Sequence, residues 1–150
     1  MPSFSKKSAS ILETCHPKLQ QVFNEVVKTF DCTIISGHRP PEEQFKLFQK
    51  GRIKDDLGNW LIVKREDVVT YKDGYEKLSK HNYRPSLAVD VVPYPVEWDN
   101  KDRMIYFAGF VKGVSEKLGF EIVWGGDWDA DTDMEDQTFK DLPHYQLKGE

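Results

Sequence analysis

Residues 87–92 read L-A-V-D-V-V. The run is short, apolar and β-branched, and Pro93 and Pro95 stop it, so it predicts a strand. Strand alternation places Asp90 on the same face as Ala88 and Val92. A fold that buries this strand must supply an ionised carboxylate with a cation or with hydrogen-bond donors. An Asp on a strand edge that faces water is the plain alternative.

His81 lies nine residues earlier, and nine extended residues would span roughly 30 Å. The intervening N-Y-R-P-S must therefore turn back if His81 is to meet Asp90, and Asn82 and Pro85 suit such a loop. A metal pair is one reading of these two residues. A strand Asp and an unrelated loop His is the other. His144 stands in K-D-L-P-H-Y-Q-L, where it shares a strand face with Gln146, while Tyr145 and Leu147 take the other face. Asp141 would be roughly 10 Å from His144 in a straight strand, but the Leu142-Pro143 step bends the chain and can return it to the same place. His38, in S-G-H-R-P, could line a pocket. His16, before Pro17, reads as a surface residue at a helix entry.

Around these residues the pattern is mixed. Leu19, Val22, Phe23, Val26, Val27 and Phe30 recur at helical spacing over 17–30, with Pro17 at the first turn. Cys32 to Ser36 predicts a strand. A helix is expected from Pro41, with Phe45 and Phe48 on its apolar face and Gly51 as its stop. Trp60–Val63 and Val68–Tyr71 are expected to form a hairpin, with Asp73-Gly74 as a turn after it. The longest helix is expected at 101–118, capped by Asn100 and ended by Gly119. Its inner face is Met104, Phe107, Ala108, Val111, Val114 and Leu118. Phe120–Trp124 and residues 144–147 complete the strands. The sum is α+β: a small, mostly antiparallel sheet with helices packed to one side.

The chain has 150 residues, enough for one domain with its own core. Its 21 basic and 25 acidic side chains give a net charge of −4. No basic stripe favours nucleic acid. No run approaches the ~20 apolar residues of a membrane span. The start, MPSFSKKSAS, lacks the apolar stretch of a secretory signal. The expected place of synthesis is the cytoplasm, and work elsewhere would need another route out. Cys15 and Cys32 match no zinc spacing and read as free and half-buried.

Residues 127–136, D-W-D-A-D-T-D-M-E-D, suggest a calcium loop. Counting from Asp127, however, Thr132 and Thr138 occupy the positions that an EF-hand gives to Gly and Glu. A solvated acidic loop is the favoured reading, and a loose calcium site the alternative. Trp124 and Trp128, which flank Gly125-Gly126, either wall a groove or fill the core.

Taken together, S-x-H at 79–81, A-V-D at 88–90 and D-x-x-H at 141–144 resemble the zinc D-alanyl-D-alanine carboxypeptidase and phage L-alanyl-D-glutamate endopeptidase family, of the hedgehog/DD-peptidase fold. S-G-H-R-P followed by Gln44, and W-G-G-D-W at 124–128, resemble further landmarks of that family. The similarity runs from about Ile34 to Leu147. It implies that His81, Asp90 and His144 hold a zinc ion, that Asp141 is the general base, and that Arg39 binds substrate and stabilises charge. It further implies that Gln44 and Trp128 lie along the substrate groove.

The chemistry suits hydrolysis. Three protein ligands leave one zinc position open, and two neutral imidazoles with one carboxylate leave a local charge of about +1. The expected activity is that of a phage endolysin, cutting the L-alanyl-D-glutamate bond of peptidoglycan. The expected protein is a monomer without a separate wall-binding module, released to the wall by another protein. Two alternatives stand: a D-alanyl-D-alanine carboxypeptidase of the same fold, and a non-catalytic zinc-stabilised module that binds cell wall.

Overall fold

The computed structural model describes residues 2–149. Its helices are α1 (Lys6–Leu12), α2 (Pro17–Val27), α3 (Pro41–Gln49) and α4 (Lys101–Leu118). Its strands are β1 (Cys32–Ser36), β2 (Arg52–Lys54), β3 (Trp60–Ile62), β4 (Ala88–Pro93), β5 (Ile122–Trp124) and β6 (His144–Leu147). An antiparallel sheet runs β1-β4-β6-β5, and β2 and β3 form a separate hairpin. This is the α+β architecture expected from the pattern.

The long helices form for local reasons and then pack through their apolar stripes. Pro17 opens α2, and His16 caps it, its Nδ1 accepting from the Lys18 N–H at 3.1 Å. Leu19, Val22, Phe23, Val26 and Val27 are buried on its inner face. The Asn100 side chain caps α4, and Gly119, at φ 80°, closes it in the left-handed conformation that glycine adopts without strain. Met104, Phe107, Ala108 and Val111 are buried as expected, together with Ser115. Leu118, by contrast, is 38% exposed. α2 ends at Val27, three residues earlier than its apolar pattern, and Phe30 turns to pack edge-on against Phe107 at 5.0 Å.

The core lies between these helices and one face of the sheet. Tyr145 of β6 is fully buried, edge-on to Phe23 at 5.4 Å and to Phe107 at 6.3 Å. Each such aromatic contributes roughly 1.5–3 kcal/mol by leaving water. Because successive side chains of a strand point oppositely, burying Tyr145 sends His144 and Gln146 to the other face. On β4, Val89 and Val91 join the core, and Asp90 turns away from it. The sheet thus separates a dry face from a chemical face.

β1 lies at the sheet edge and is covered by α1, a helix that the sequence pattern did not reveal. The Ser8 hydroxyl accepts from the buried Ile34 N–H at 3.1 Å, satisfying an edge donor. A register shift between Ile34 and Ser36 lets Ile34 enter the core while Ser36 stands opposite Asp90.

Two expectations need correction. Trp60–Ile62 pairs with Arg52–Lys54 and not with Val68–Tyr71. The turn between β2 and β3 is held by Asp55, whose carboxylate accepts from the Leu57 and Asn59 N–H groups at 2.9 and 2.8 Å. Residues 65–67 make a short 3₁₀ turn, and 68–71 form no strand. Trp60 then packs on Phe45 and Phe48 of α3, at 5.6 and 6.3 Å. Cys15 and Cys32 are free but fully buried, not half-buried, and burial pushes both thiols up to about 12. Among the described residues, no helix is long and apolar enough to cross a membrane.

Candidate metal centre and active site

Three loops and two strands deliver the site to the chemical face of the sheet. Asp90 sits in the middle of β4, directly opposite Ser36 of β1 and His144 of β6. His81 arrives on a one-turn 3₁₀ helix, Lys80–Asn82. Ser79 and Asn82 cap that turn reciprocally: Ser79 Oγ accepts from the His81 N–H, and Asn82 Oδ1 accepts from the Ser79 N–H. The Leu87 N–H then donates to the Lys80 carbonyl at 3.0 Å, closing the return from 82–86. The loop therefore does fold back.

His81 Nε2 lies 3.4 Å from Asp90 Oδ1, and His144 Nδ1 lies 3.3 Å from the same oxygen. All three donor atoms fall within 4.8 Å of one another. Their other ring nitrogens are already committed. His81 Nδ1 lies 2.8 Å from the Gly37 carbonyl, and His144 Nε2 lies 2.8 Å from Gln146 Oε1. Both partners accept, so each imidazole carries its proton away from the site and turns a lone pair toward it. Alternation puts Gln146 on the face of His144, but nothing in the sequence marks its role. Gly37 carried no signal, because its contribution is a backbone carbonyl.

The donor set is unsatisfied by protein alone. His81 Nε2 and Asp90 Oδ1 are buried without a hydrogen-bond partner. Such orphans cost free energy and are uncommon in folded proteins. A tetrahedral ion with bonds near 2.0–2.1 Å would hold neighbouring ligand atoms about 3.3 Å apart. The two separations from Asp90 Oδ1, 3.4 and 3.3 Å, match that edge length. Two imidazoles and a carboxylate also suit a borderline-soft divalent cation. The residues present therefore fit a metal ion.

Protonated, the same imidazoles would instead pair with Asp90 as cations. Burial disfavours the Asp90 carboxylate, but the facing imidazoles of His144 and His81 outweigh it and hold the carboxyl far below its usual range. Burial works against a charged His144 too, and Asp90 outweighs it, raising that imidazole. Burial, and then the charge of Asp90, push the Asp141 carboxyl up.

Asp141 Oδ2 lies 3.9 Å from His144 Nδ1, so the Leu142-Pro143 bend does return it to the site. Its backbone is clamped, since its N–H donates to the Gly125 carbonyl and the Gly125 N–H donates to the His144 carbonyl, both at 2.8 Å. A Cβ on Gly125 would stand 2.0 Å from the Asp141 carbonyl oxygen. The first glycine of W-G-G-D-W is thus a close backbone approach beside Asp141.

Arg39 reaches the other oxygen of Asp90, with Nη2 3.5 Å from Oδ2. Its fork also donates to Gln44 Oε1 at 2.7 Å and to Ser36 Oγ at 3.2 Å. Gln44 is the one buried residue of α3, and its amide nitrogen donates to Thr70 Oγ1 and the Lys72 carbonyl. Its amide is thus occupied by protein, and it holds Arg39 against the 70–72 segment. Trp128 tilts over the His144 ring at 5.3 Å, its indole N–H donating to the Phe139 carbonyl at 2.6 Å. Trp124 instead enters the core, its N–H donating to the Leu142 carbonyl.

All seven singled-out residues, Arg39, Gln44, His81, Asp90, Trp128, Asp141 and His144, line one groove of about 570 Å³. His38 does not join them, lying beside Thr14 and Arg84 in a separate depression. The acidic run brings Asp127, Asp129 and Asp131 together, but Asp129 and Asp131 are exposed. The Asp127 carboxylate is taken up by the N–H groups of Asp131 and Thr132, as in a self-capped turn.

Seven chains of solved structures match this one. Among them is the L-Ala D-Glu endopeptidase ChiX of Serratia marcescens, with a TM-score of 0.65 and 24% identity over 97% of this chain and 90% of that one. That likeness is one of fold. No curated protein matches. The profile of the phage L-alanyl-D-glutamate peptidases matches residues 2–148, nearly the whole chain. The chain therefore belongs to the phage L-alanyl-D-glutamate peptidase family.

Proposed function

We propose that this chain is a monomeric, single-domain zinc peptidase that cuts the L-alanyl-D-glutamate bond of peptidoglycan stem peptides. In this reading it works as a phage endolysin, reaching the wall after release by another protein. The observation that carries the zinc assignment is the convergence of His81 Nε2 and His144 Nδ1 on Asp90 Oδ1 at tetrahedral edge distances, with two of these three atoms left unpaired.

His81, Asp90 and His144 would hold the zinc. When bound, zinc polarises the scissile carbonyl and acidifies water at the open position. Asp141 Oδ2 accepts a proton from the attacking water and delivers it to the departing amine nitrogen. The Arg39 guanidinium, fixed by Gln44 and Ser36, keeps Asp90 oriented through Oδ2 and faces the negative charge that develops on the carbonyl oxygen. Gln44 sets that fork and the 70–72 wall, and Trp128 supplies an apolar wall over His144.

Digestion of purified peptidoglycan followed by mass spectrometry of the products tests this reading. New termini at L-alanine and D-glutamate are expected. Release of free D-alanine would point instead to the carboxypeptidase, and no cleavage at all to a binding module.

Two substitutions probe the supporting residues. Arg39→Lys keeps the charge but loses the planar fork that serves Gln44, Ser36 and Asp90 together. Turnover is expected to fall about 100-fold with zinc content unchanged. Near-normal turnover would reduce Arg39 to a loop residue. Gly125→Ala places a methyl against the Asp141 carbonyl, and backbone rather than a flexible side chain must move. A displacement of about 1 Å in a catalytic group costs on the order of 100-fold. Steady-state kinetics with metal analysis should show that loss with zinc retained, and a wild-type rate would contradict the clamp.

A further inference from the structure

The groove over the metal set is positive in a chain that is negative. Arg39, Lys50, Lys72 and Lys80 line it against two acids, Asp90 and Asp141, while the whole chain carries −4. Asp90 belongs to the metal set, and Asp141 stands beside it. Asp90 faces the two imidazoles and Arg39, and Asp141 lies beside His144. A bound dication would add to the surplus.

The placement of these cations is partly built in. The buried Gln44 amide accepts from Arg39 and donates to the Lys72 carbonyl at 2.9 Å, so one side chain fixes Arg39 and the backbone of Lys72 relative to each other. Lys80 immediately precedes His81, and its carbonyl is held by the Leu87 N–H. Lys50 and Lys72 are exposed, with their ammonium groups able to follow a ligand. The same groove carries apolar surface from Val69, Leu78, Phe139 and Trp128, with Tyr71 edge-on to Phe139 at 6.0 Å. Low-dielectric walls beside like charges focus the field and raise the local concentration of anions.

Resting on the peptidase reading above, we infer that this groove selects stem peptides by their free carboxylates. A stem peptide whose D-glutamate α-carboxylate is free is cut in preference to one in which that group is a carboxamide. The discrimination is one of charge. A carboxamide keeps a carbonyl acceptor but carries no negative charge, so the ammonium groups lose a charge-assisted partner. The lysines act on substrate capture, so the effect falls on KM more than on kcat.

The test uses the full zinc-loaded chain and two soluble stem peptides that differ only in that α-carboxylate or α-carboxamide. Wild-type protein is expected to favour the carboxylate about tenfold in kcat/KM. The preference should shrink as salt is raised. In a Lys50→Gln/Lys72→Gln double variant it should fall to about twofold or less, through a higher KM for the carboxylate form. Equal kcat/KM for the two peptides in wild type, or an undiminished preference in the double variant, overturns the inference and leaves the peptidase reading intact. Failure to cut either peptide overturns both.

Discussion

His81→Ala is expected to remove the zinc and reduce turnover to background while the protein stays folded. His81 is 2% exposed, and its Nε2 is one of two site atoms without a protein partner. A structural histidine in that position would have a donor or acceptor for both nitrogens. Two remaining ligands, Asp90 and His144, would bind zinc far more weakly than three. The fold should survive because the large core lies on the opposite face of the sheet, around Phe23, Phe107 and Tyr145. The folding cost is the lost bond to the Gly37 carbonyl, about 1 kcal/mol, partly offset by relief of the orphaned nitrogen. Metal analysis and thermal unfolding would check this together. Full zinc occupancy in the variant would remove His81 from the ligand set.

Asp141→Asn gives the second large effect and separates three roles. As general base, Asp141 needs its carboxylate, so the amide should bind zinc normally and turn over at least ~100-fold more slowly. As a fourth ligand, the same change would weaken zinc binding. As a turn residue before Leu142-Pro143, asparagine would serve nearly as well, because the clamp on Gly125 uses the backbone of residue 141. The geometry favours the first role. Asp141 Oδ2 stands 3.9 Å from His144 Nδ1, farther than the 3.3 and 3.4 Å at which Asp90 meets the two imidazoles. At that distance it would stand beside the ligand set, and a hydrolytic site needs its open position for water. Zinc content and rate, measured side by side, distinguish the three.

The parts of this fold that could be read from sequence were those governed by local periodicity. α4 appears at Lys101–Leu118 with both caps because Asn100, the apolar stripe and Gly119 all act within the helix. The strand at Ala88–Pro93 was legible from its branched residues and prolines. The hairpin was misread because its partner choice is set by tertiary contacts. Trp60 turns to Phe45 and Phe48, and Asp55 caps the turn toward β2, neither of which a period of two can reveal. α1 was missed because seven residues with only Ser8 and Leu12 buried carry little amphipathic signal.

Asp90 was legible as a candidate because its chemistry is costly, and the wider candidate set followed from the family resemblance. A carboxylate in an apolar strand demands an explanation, and the structure does bring His81, His144 and Asp141 to it. What stayed hidden was the support. The Gly37 carbonyl, the Gln146 amide and the Ser36 hydroxyl each orient a site residue through one bond. Backbone groups leave no mark in a sequence, and single polar side chains on a strand face are common. Gln44 was visible, but its partners Thr70 and Lys72 lie 26 and 28 residues away.

A zinc ion held by three particular atoms would be seen by anomalous diffraction at the zinc edge from crystals of the zinc-loaded protein. One strong peak is expected, about 2.0–2.2 Å from His81 Nε2, His144 Nδ1 and Asp90 Oδ1. Asp141 should lie outside that bonding distance. A peak bound instead among Asp127, Asp129 and Asp131, or no peak between the two imidazoles, would contradict the account.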